Sequence, residues 1–216
     1  MLWSWARNWR TRREAGEAAR ANWDRRYGTD TAGRVPLDRL TIPHDSRRHG
    51  ERYQPSDPAA LRDAIGFIGL SPSAYQFVDL GCGKGRMLIV AAELGFQSCV
   101  GVEFADELAR AAARNVAAAG FGNVSIVHGD AGTYAFGEAP FVLYMFNPFA
   151  EPVMARVRDN LLRQRRANYV VIYKNARFRH LFDAMPRLRY LGSPPTQRAG
   201  VLGVHVWVAC EGAESV

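Results

Sequence analysis

The stretch Val78-Asp79-Leu80-Gly81-Cys82-Gly83-Lys84-Gly85-Arg86 decides the fold. A short apolar run ends on an acid, breaks into three glycines within five residues, and passes into Met87–Leu94, whose apolar spacing predicts a helix. Such a strand-turn-helix presents backbone N–H groups and a helix N-terminus to a ligand, with no side chain in the way. Three ligand classes compete for a turn of this kind, and spacing separates them. A phosphate-binding P-loop needs G-x-x-x-x-G-K-[ST], but Val78 stands where its first glycine belongs and Gly85 where its hydroxyl belongs. A dinucleotide fingerprint needs G-x-G-x-x-G, and here the third glycine comes one position early. What remains is G-x-G-x-G, with Asp79 two residues before the first glycine.

Working outward, the chain from Pro58 onward alternates helical spacing with short apolar runs, as in a parallel sheet covered on both faces. Strands are expected at Gln76–Leu80, Ser98–Glu103, Val124–His128, Phe141–Phe146, Tyr169–Tyr173, Arg187–Leu191 and Val204–Ala209. Helices are expected at about 58–69, Met87–Leu94, Ala105–Ala119, Glu151–Leu162 and near Phe178–Met185. The short link between the last two strands, through Gly192, Pro194, Pro195 and Gly200, suits an antiparallel pair. The fold class is α/β: a Rossmann-like doubly wound sheet of seven strands with an antiparallel C-terminal pair and helices on both faces.

Residues 1–56 read as an appendage to a domain spanning 57–216. A helix is expected over 2–26, with Leu2, Trp5, Trp9, Ala19 and Trp23 as an apolar stripe that either packs on the domain or meets a partner or membrane surface. Gly28, Gly33, Pro36, Pro43, Gly50 and Pro55 punctuate an irregular connector placed to act as a lid. The net charge of +7 is uneven, with twelve Arg and seven acidic residues in 1–52, so the domain itself is nearly neutral. The overall charge is therefore weak evidence for nucleic acid as substrate, because a nucleic-acid reader concentrates positive charge beside its site. Arginine outnumbers lysine by 26 to two, a bias ascribed to nucleotide composition of the genome. The three cysteines have neither disulfide nor metal-ligand spacing, so no metal is expected and a reducing cytoplasmic setting is. No apolar run approaches the roughly 20 residues that span a bilayer.

Glu103 closes the second strand, 18 residues past Gly85 (103 minus 85). A carboxylate there can accept two hydrogen bonds from a ribose diol, and it can also serve as the N-terminal acid of the next helix.

The chain from about 53 to 210 resembles the class I, seven-strand S-adenosylmethionine-dependent methyltransferases, whose first motif reads much like Phe77–Arg86. The resemblance implies S-adenosyl-L-methionine as cofactor, with Gly81, Gly83 and Gly85 passing under its methionine portion and Asp79 orienting its ammonium group. It also implies adenine contacts at Asp130, through the carboxylate, and at Ala131, through the backbone. Asn147-Pro148-Phe149 is similar to the [DN]-P-P-[YF] signature of amino-group methyltransferases, with the second proline missing. The similarity implies that Asn147 holds a nitrogen while Phe149 packs beside it; otherwise Asn147 caps the following helix or faces the cofactor. Tyr53-Gln54-Pro55-Ser56 resembles the Y-x-P-[ST] element of a subgroup containing lysine methyltransferases of the mitochondrial ATP synthase c subunit, which implies contacts from Tyr53 and Ser56 to the cofactor's carboxylate end. The segments Asp24–Gly28 and Asp30–Arg34 are similar to the lead-in of small bacterial methyltransferases. The implied activity is N-methylation of an amine, a protein lysine or a small molecule being favoured over nucleic acid. Small-molecule O- or N-methylation, a nicotinamide-dependent oxidoreductase and a non-enzymatic cofactor-binding module are the alternatives. His49, His128 and His180 are positions to inspect for a general base, and none is assigned that role.

Overall fold

The apolar runs form one sheet of seven strands in the order β3-β2-β1-β4-β5-β7-β6. These are β1 (Gln76–Leu80), β2 (Ser98–Glu103), β3 (Val124–His128), β4 (Phe141–Phe146), β5 (Tyr169–Lys174), β6 (Leu188–Gly192) and β7 (Val204–Ala209). The computed structural model describes residues 22–36, 40–41, 53–164, 168–197, 200 and 202–210. β1 to β5 run parallel, whereas β7 lies antiparallel to both β5 and β6. The expected C-terminal pair is therefore present, and it attaches to the sheet through β7.

Five helices cover the sheet: α1 (Pro58–Ile68), α2 (Arg86–Glu93), α3 (Asp106–Ala119), α4 (Glu151–Leu162) and α5 (His180–Asp183). Side chains of α1, α2 and α3 form one core with Phe77, Val142, Tyr144 and Ile172, while those of α4 and α5 form another with Val78, Leu80, Leu143 and Val171. Alternate residues of the same strands thus feed opposite cores, which explains why β4 reads as an unbroken apolar run. Local chemistry sets the helix ends. The Asp57 carboxylate accepts from Ala59 N–H at the start of α1, and Gly69 closes that helix in the left-handed conformation. Asp106 and Glu107 occupy the first turn of α3, where the helix dipole favours them.

The expected amino-terminal helix lies largely outside the described residues; its last part, 22–27, is helical, and Trp23 packs against the α1–α2 core. The following segment is tied to the domain by side chains. Arg86 Nε donates to Thr31 Oγ1 (2.7 Å), Asp30 N–H donates to Asn115 Oδ1 (2.9 Å), and the Tyr53 hydroxyl donates to the Thr31 carbonyl (2.7 Å). An antiparallel bridge joins Val35 to Tyr53. Among the described residues no helix is long and apolar enough to cross a membrane.

Candidate active site

Strand order reverses between β1 and β4, and an open α/β sheet offers its crevice at such a point, outside the carboxyl ends of the strands. A cleft of about 180 Å³ lies there. β1 and the turn after it contribute Asp79, Gly81, Cys82 and Gly83, and β2 contributes Glu103 with Phe104 following. β4 and its continuation supply Tyr144 and Phe146 through Phe149, and the connector supplies Leu40, Tyr53 and Ser56.

The glycines are required by close approach. Gly81 (φ 79°) and Gly83 (φ 55°) are both left-handed. A Cβ on Gly81 would stand 2.6 Å from Pro148 Cβ, and one on Gly83 would stand 2.3 Å from the Tyr53 ring. The turn therefore has one residue of the Asn147–Phe149 motif and one of the Tyr53–Ser56 element pressed against it. Gly85, also left-handed, starts α2 with no side-chain cap, so its first N–H groups remain open to a ligand.

Two buried carboxylates face each other across this turn. Glu103 accepts from Gly83 N–H (2.9 Å) and from Ala105 N–H (3.0 Å), so it braces the glycine turn and the start of α3 together. Burial pushes its pKa up, and backbone donors partly offset this. Asp79, 3% exposed, is pushed well above the ordinary carboxylate range by burial and then by the Glu103 charge, with no backbone donor to oppose them. Of the two, Asp79 has its charged form opposed the more strongly. An ammonium group beside Asp79 would favour its charged form. Affinity for a ligand bearing an ammonium group there should accordingly fall as pH drops through the raised Asp79 pKa, because protonated Asp79 has no charge to offer. Calorimetry across a pH series reads this dependence; an affinity that does not weaken at low pH would remove Asp79 from this role.

On the opposite wall, Asn147 is in the left-handed conformation at φ 38° and 9% exposed. Its N–H donates to the Lys174 carbonyl (3.1 Å), which fixes the backbone across β4 and β5. Its Oδ1 is buried without a hydrogen-bond partner. The helix-cap alternative fails, since α4 begins after Ala150 with no side-chain cap. Phe149 packs edge-on against Phe104, with centroids 6.2 Å apart. Ser56 Oγ accepts from the Tyr144 hydroxyl (3.1 Å).

Asp130 and Ala131 do not line the cleft. Asp130 is used locally: it accepts from Gly132 N–H (2.8 Å) and ion-pairs with Arg156 on α4 (2.9 Å), while Ala131 is buried in the core beneath. The residues sequence reasoning missed at that end are Leu40, Phe104 and Leu108, which form an apolar wall. The aromatic directly after Glu103 was the available signal. Of the histidines inspected, His128 contacts the Phe104 carbonyl and His180 contacts Glu151, neither lining the cleft, and His49 lies outside the described residues.

A glycine cradle, an acid at the end of β1 and a second acid at the end of β2, on this strand order, define the class I methyltransferase fold. Residues 77–168, less than half of the chain, match the family model described as a methyltransferase domain, which fits S-adenosylmethionine as cofactor. Among solved structures, the chain is similar to a mutant of MtNAS in complex with S-adenosylmethionine, at 20% identity and TM-score 0.53, over 69% of this chain and 60% of that one. It is similar to an RNA methyltransferase from Salinibacter ruber in complex with S-adenosyl-L-homocysteine, at 21% identity and TM-score 0.54, over 76% and 98%. It is also similar to the mitomycin 7-O-methyltransferase MmcR, at 17% identity and TM-score 0.53, over 70% and 54%. The chain thus spans less than two thirds of the first and third of these. No curated protein matches it in sequence. The named activities of these neighbours differ, so the fold they share leaves the acceptor to be argued from the site.

Proposed function

We propose that the chain methylates an amine nitrogen held at Asn147. The observation that carries this reading is the buried Asn147 Oδ1, which lacks a partner and so calls for a donor N–H from a ligand. In the proposed arrangement Asp79 and the turn at Gly81, Gly83 and Gly85 hold the methionine end of the cofactor, with Tyr53 and Ser56 closing over it. Glu103 receives the ribose hydroxyls in exchange for its present backbone donors. Leu40, Phe104 and Leu108 take the adenine, in place of Asp130 and Ala131. Pro148 and Phe149 wall the reacting region, and residues 1–56 serve as the lid on a domain beginning at 57.

S-adenosylmethionine supplies an activated methyl group on its sulfonium, so the protein's work is alignment and exclusion of water. An amine must reach this point neutral; the usual lysine value is about 10.4, and a dry site favours loss of the proton. Tyr53, Phe146 and Phe149 make such a site, and Asn147 Oδ1 then aims the nitrogen by accepting its remaining hydrogen. A protein lysine is the second reading, supported by the Tyr53-Gln54-Pro55-Ser56 element lying at the cleft.

Two measurements test this. Calorimetry should show binding of S-adenosylhomocysteine, weakened about tenfold by Glu103→Ala, the cost of one or two hydrogen bonds to a charged group less the relief of its burial; unchanged affinity would remove Glu103 from the cofactor site. Labelled cofactor added to a deletion-strain lysate should put label on nitrogen, in protein or in small molecules. Label confined to oxygen or to nucleic acid would overturn the amine reading.

A further inference from the structure

Beside the cleft lies a second chamber of about 650 Å³. The two spaces adjoin along a shared wall of Gln54, Pro55, Ser56, Arg86, Phe146 and Asn175. The chamber adds Trp23 from the amino-terminal helix, Asp57 and Pro58 from the start of α1, Lys174 from the end of β5, and Leu202.

Its polar groups are unevenly satisfied. Arg86 is engaged by Thr31 Oγ1 (2.7 Å) and by Asp24 (3.6 Å). Asp57 uses one carboxylate oxygen on Ala59 N–H (3.0 Å). Lys174 Nζ stands 4.9 Å from the centroid of the Phe146 ring, and among the described residues it has no hydrogen-bond or ion-pair partner. Asp57 reaches it only by longer-range attraction, and burial lowers its pKa. The Trp23 indole N–H is likewise buried with no acceptor. The chamber wall therefore carries a half-buried ammonium and a buried indole N–H, both without partners among the described residues, and the buried indole donor left unmade costs about 1–3 kcal/mol. The partners missing here are acceptors. The aromatic faces of Trp23 and Phe146 supply the apolar surface for the rest of a ligand, and the volume is that of a small-molecule site. Lys174 is also rigidly placed relative to the cleft, because its carbonyl receives Asn147 N–H.

We propose that this chamber binds the methyl acceptor, and that the acceptor is a small amine that also carries a carboxylate, the carboxylate on Lys174 Nζ and the amine at Asn147 Oδ1. The proposal rests on the reading of Asn147 as the point of methyl transfer.

The two-lysine composition makes the test direct. Full-length protein labelled with ¹³C and ¹⁵N in lysine alone, saturated with S-adenosylhomocysteine, gives two side-chain signals, and Lys84→Gln identifies Lys174 by elimination. Lys84, ion-paired with Asp30 at 3.1 Å, is the internal reference. Benzoate should raise the titration midpoint of Lys174 by about one pH unit, a tenfold preference of the anion for the charged form, and leave Lys84 unmoved. Lys174→Gln should weaken benzoate binding at least ~10-fold by calorimetry and Lys174→Arg should retain it, since a fixed cation suffices. No movement with benzoate, or a midpoint lowered by benzylamine with none raised by benzoate, overturns the proposal. Asn147→Ala should keep the benzoate response; if that variant also keeps full methylation, the Asn147 reading fails while the carboxylate site stands.

Discussion

Asn147→Ala should leave affinity for S-adenosylhomocysteine within a few-fold while lowering methyl transfer by ~100-fold or more, the penalty of losing alignment at a reacting atom. The expectation follows from the position of Oδ1, buried and without a partner in the protein, so that its removal breaks no hydrogen bond among the described residues. The backbone complicates the substitution. At φ 38°, asparagine tolerates a left-handed conformation that alanine resists at a cost of roughly 1–2 kcal/mol. Asn147→Gly separates the two effects, since glycine accepts the conformation and also lacks the amide. Loss of turnover in both variants, with cofactor binding retained, assigns the effect to the amide. Full turnover in the glycine variant would mean that Asn147 matters only as a turn residue.

Gly83→Arg should abolish cofactor binding, by ~100-fold or more. Three costs add at this position. Any Cβ meets the Tyr53 ring at 2.3 Å, so the ring and its hydroxyl bond to Thr31 must move. The left-handed φ of 55° adds backbone strain of roughly 1–2 kcal/mol, and overpacking adds typically 1–3 kcal/mol. The side chain then points into the cradle and brings a second cation to the place proposed for an ammonium group. Gly83→Ala carries the first two costs alone and should weaken binding by ~10-fold or more. A far-ultraviolet circular dichroism spectrum like that of the parent would show that the sheet persists, since the strand cores do not depend on this turn. Undiminished binding by the arginine variant would move the cofactor away from the cradle altogether.

The elements were legible because their signals are local. β4, which feeds both cores, shows an unbroken apolar run, and β1, β2, β3, β4 and β7 have the bounds that periodicity predicts. β5 runs one residue further than expected, to Lys174, because pairing with Phe146 on one side and Val204 on the other carries the ladder past the apolar run. That extra residue matters, for it sets Lys174 at the chamber wall. Glu103 was legible as a polar residue ending an apolar strand, and of its expected contacts the one to the start of the next helix is present, through Ala105 N–H, beside a bond to the turn at Gly83. Asp130 shows the opposite case. The sequence puts an acid after β3, but Arg156, 26 residues away, captures it.

By itself, then, the sequence determined the order of strands and helices, the glycine turn and the acids at the ends of β1 and β2, because periodicity, left-handed turns and strand ends are properties of neighbouring residues. Only the tertiary structure decided which groups share a space. It pressed Tyr53 and Pro148 onto the glycines of the Val78–Arg86 turn, left Asp79 and Asn147 Oδ1 buried without partners, took Asp130 away to Arg156, and set Trp23 and Lys174 around one chamber. These outcomes depend on distance, burial and competition for hydrogen bonds among residues far apart in the chain, which spacing along it does not encode.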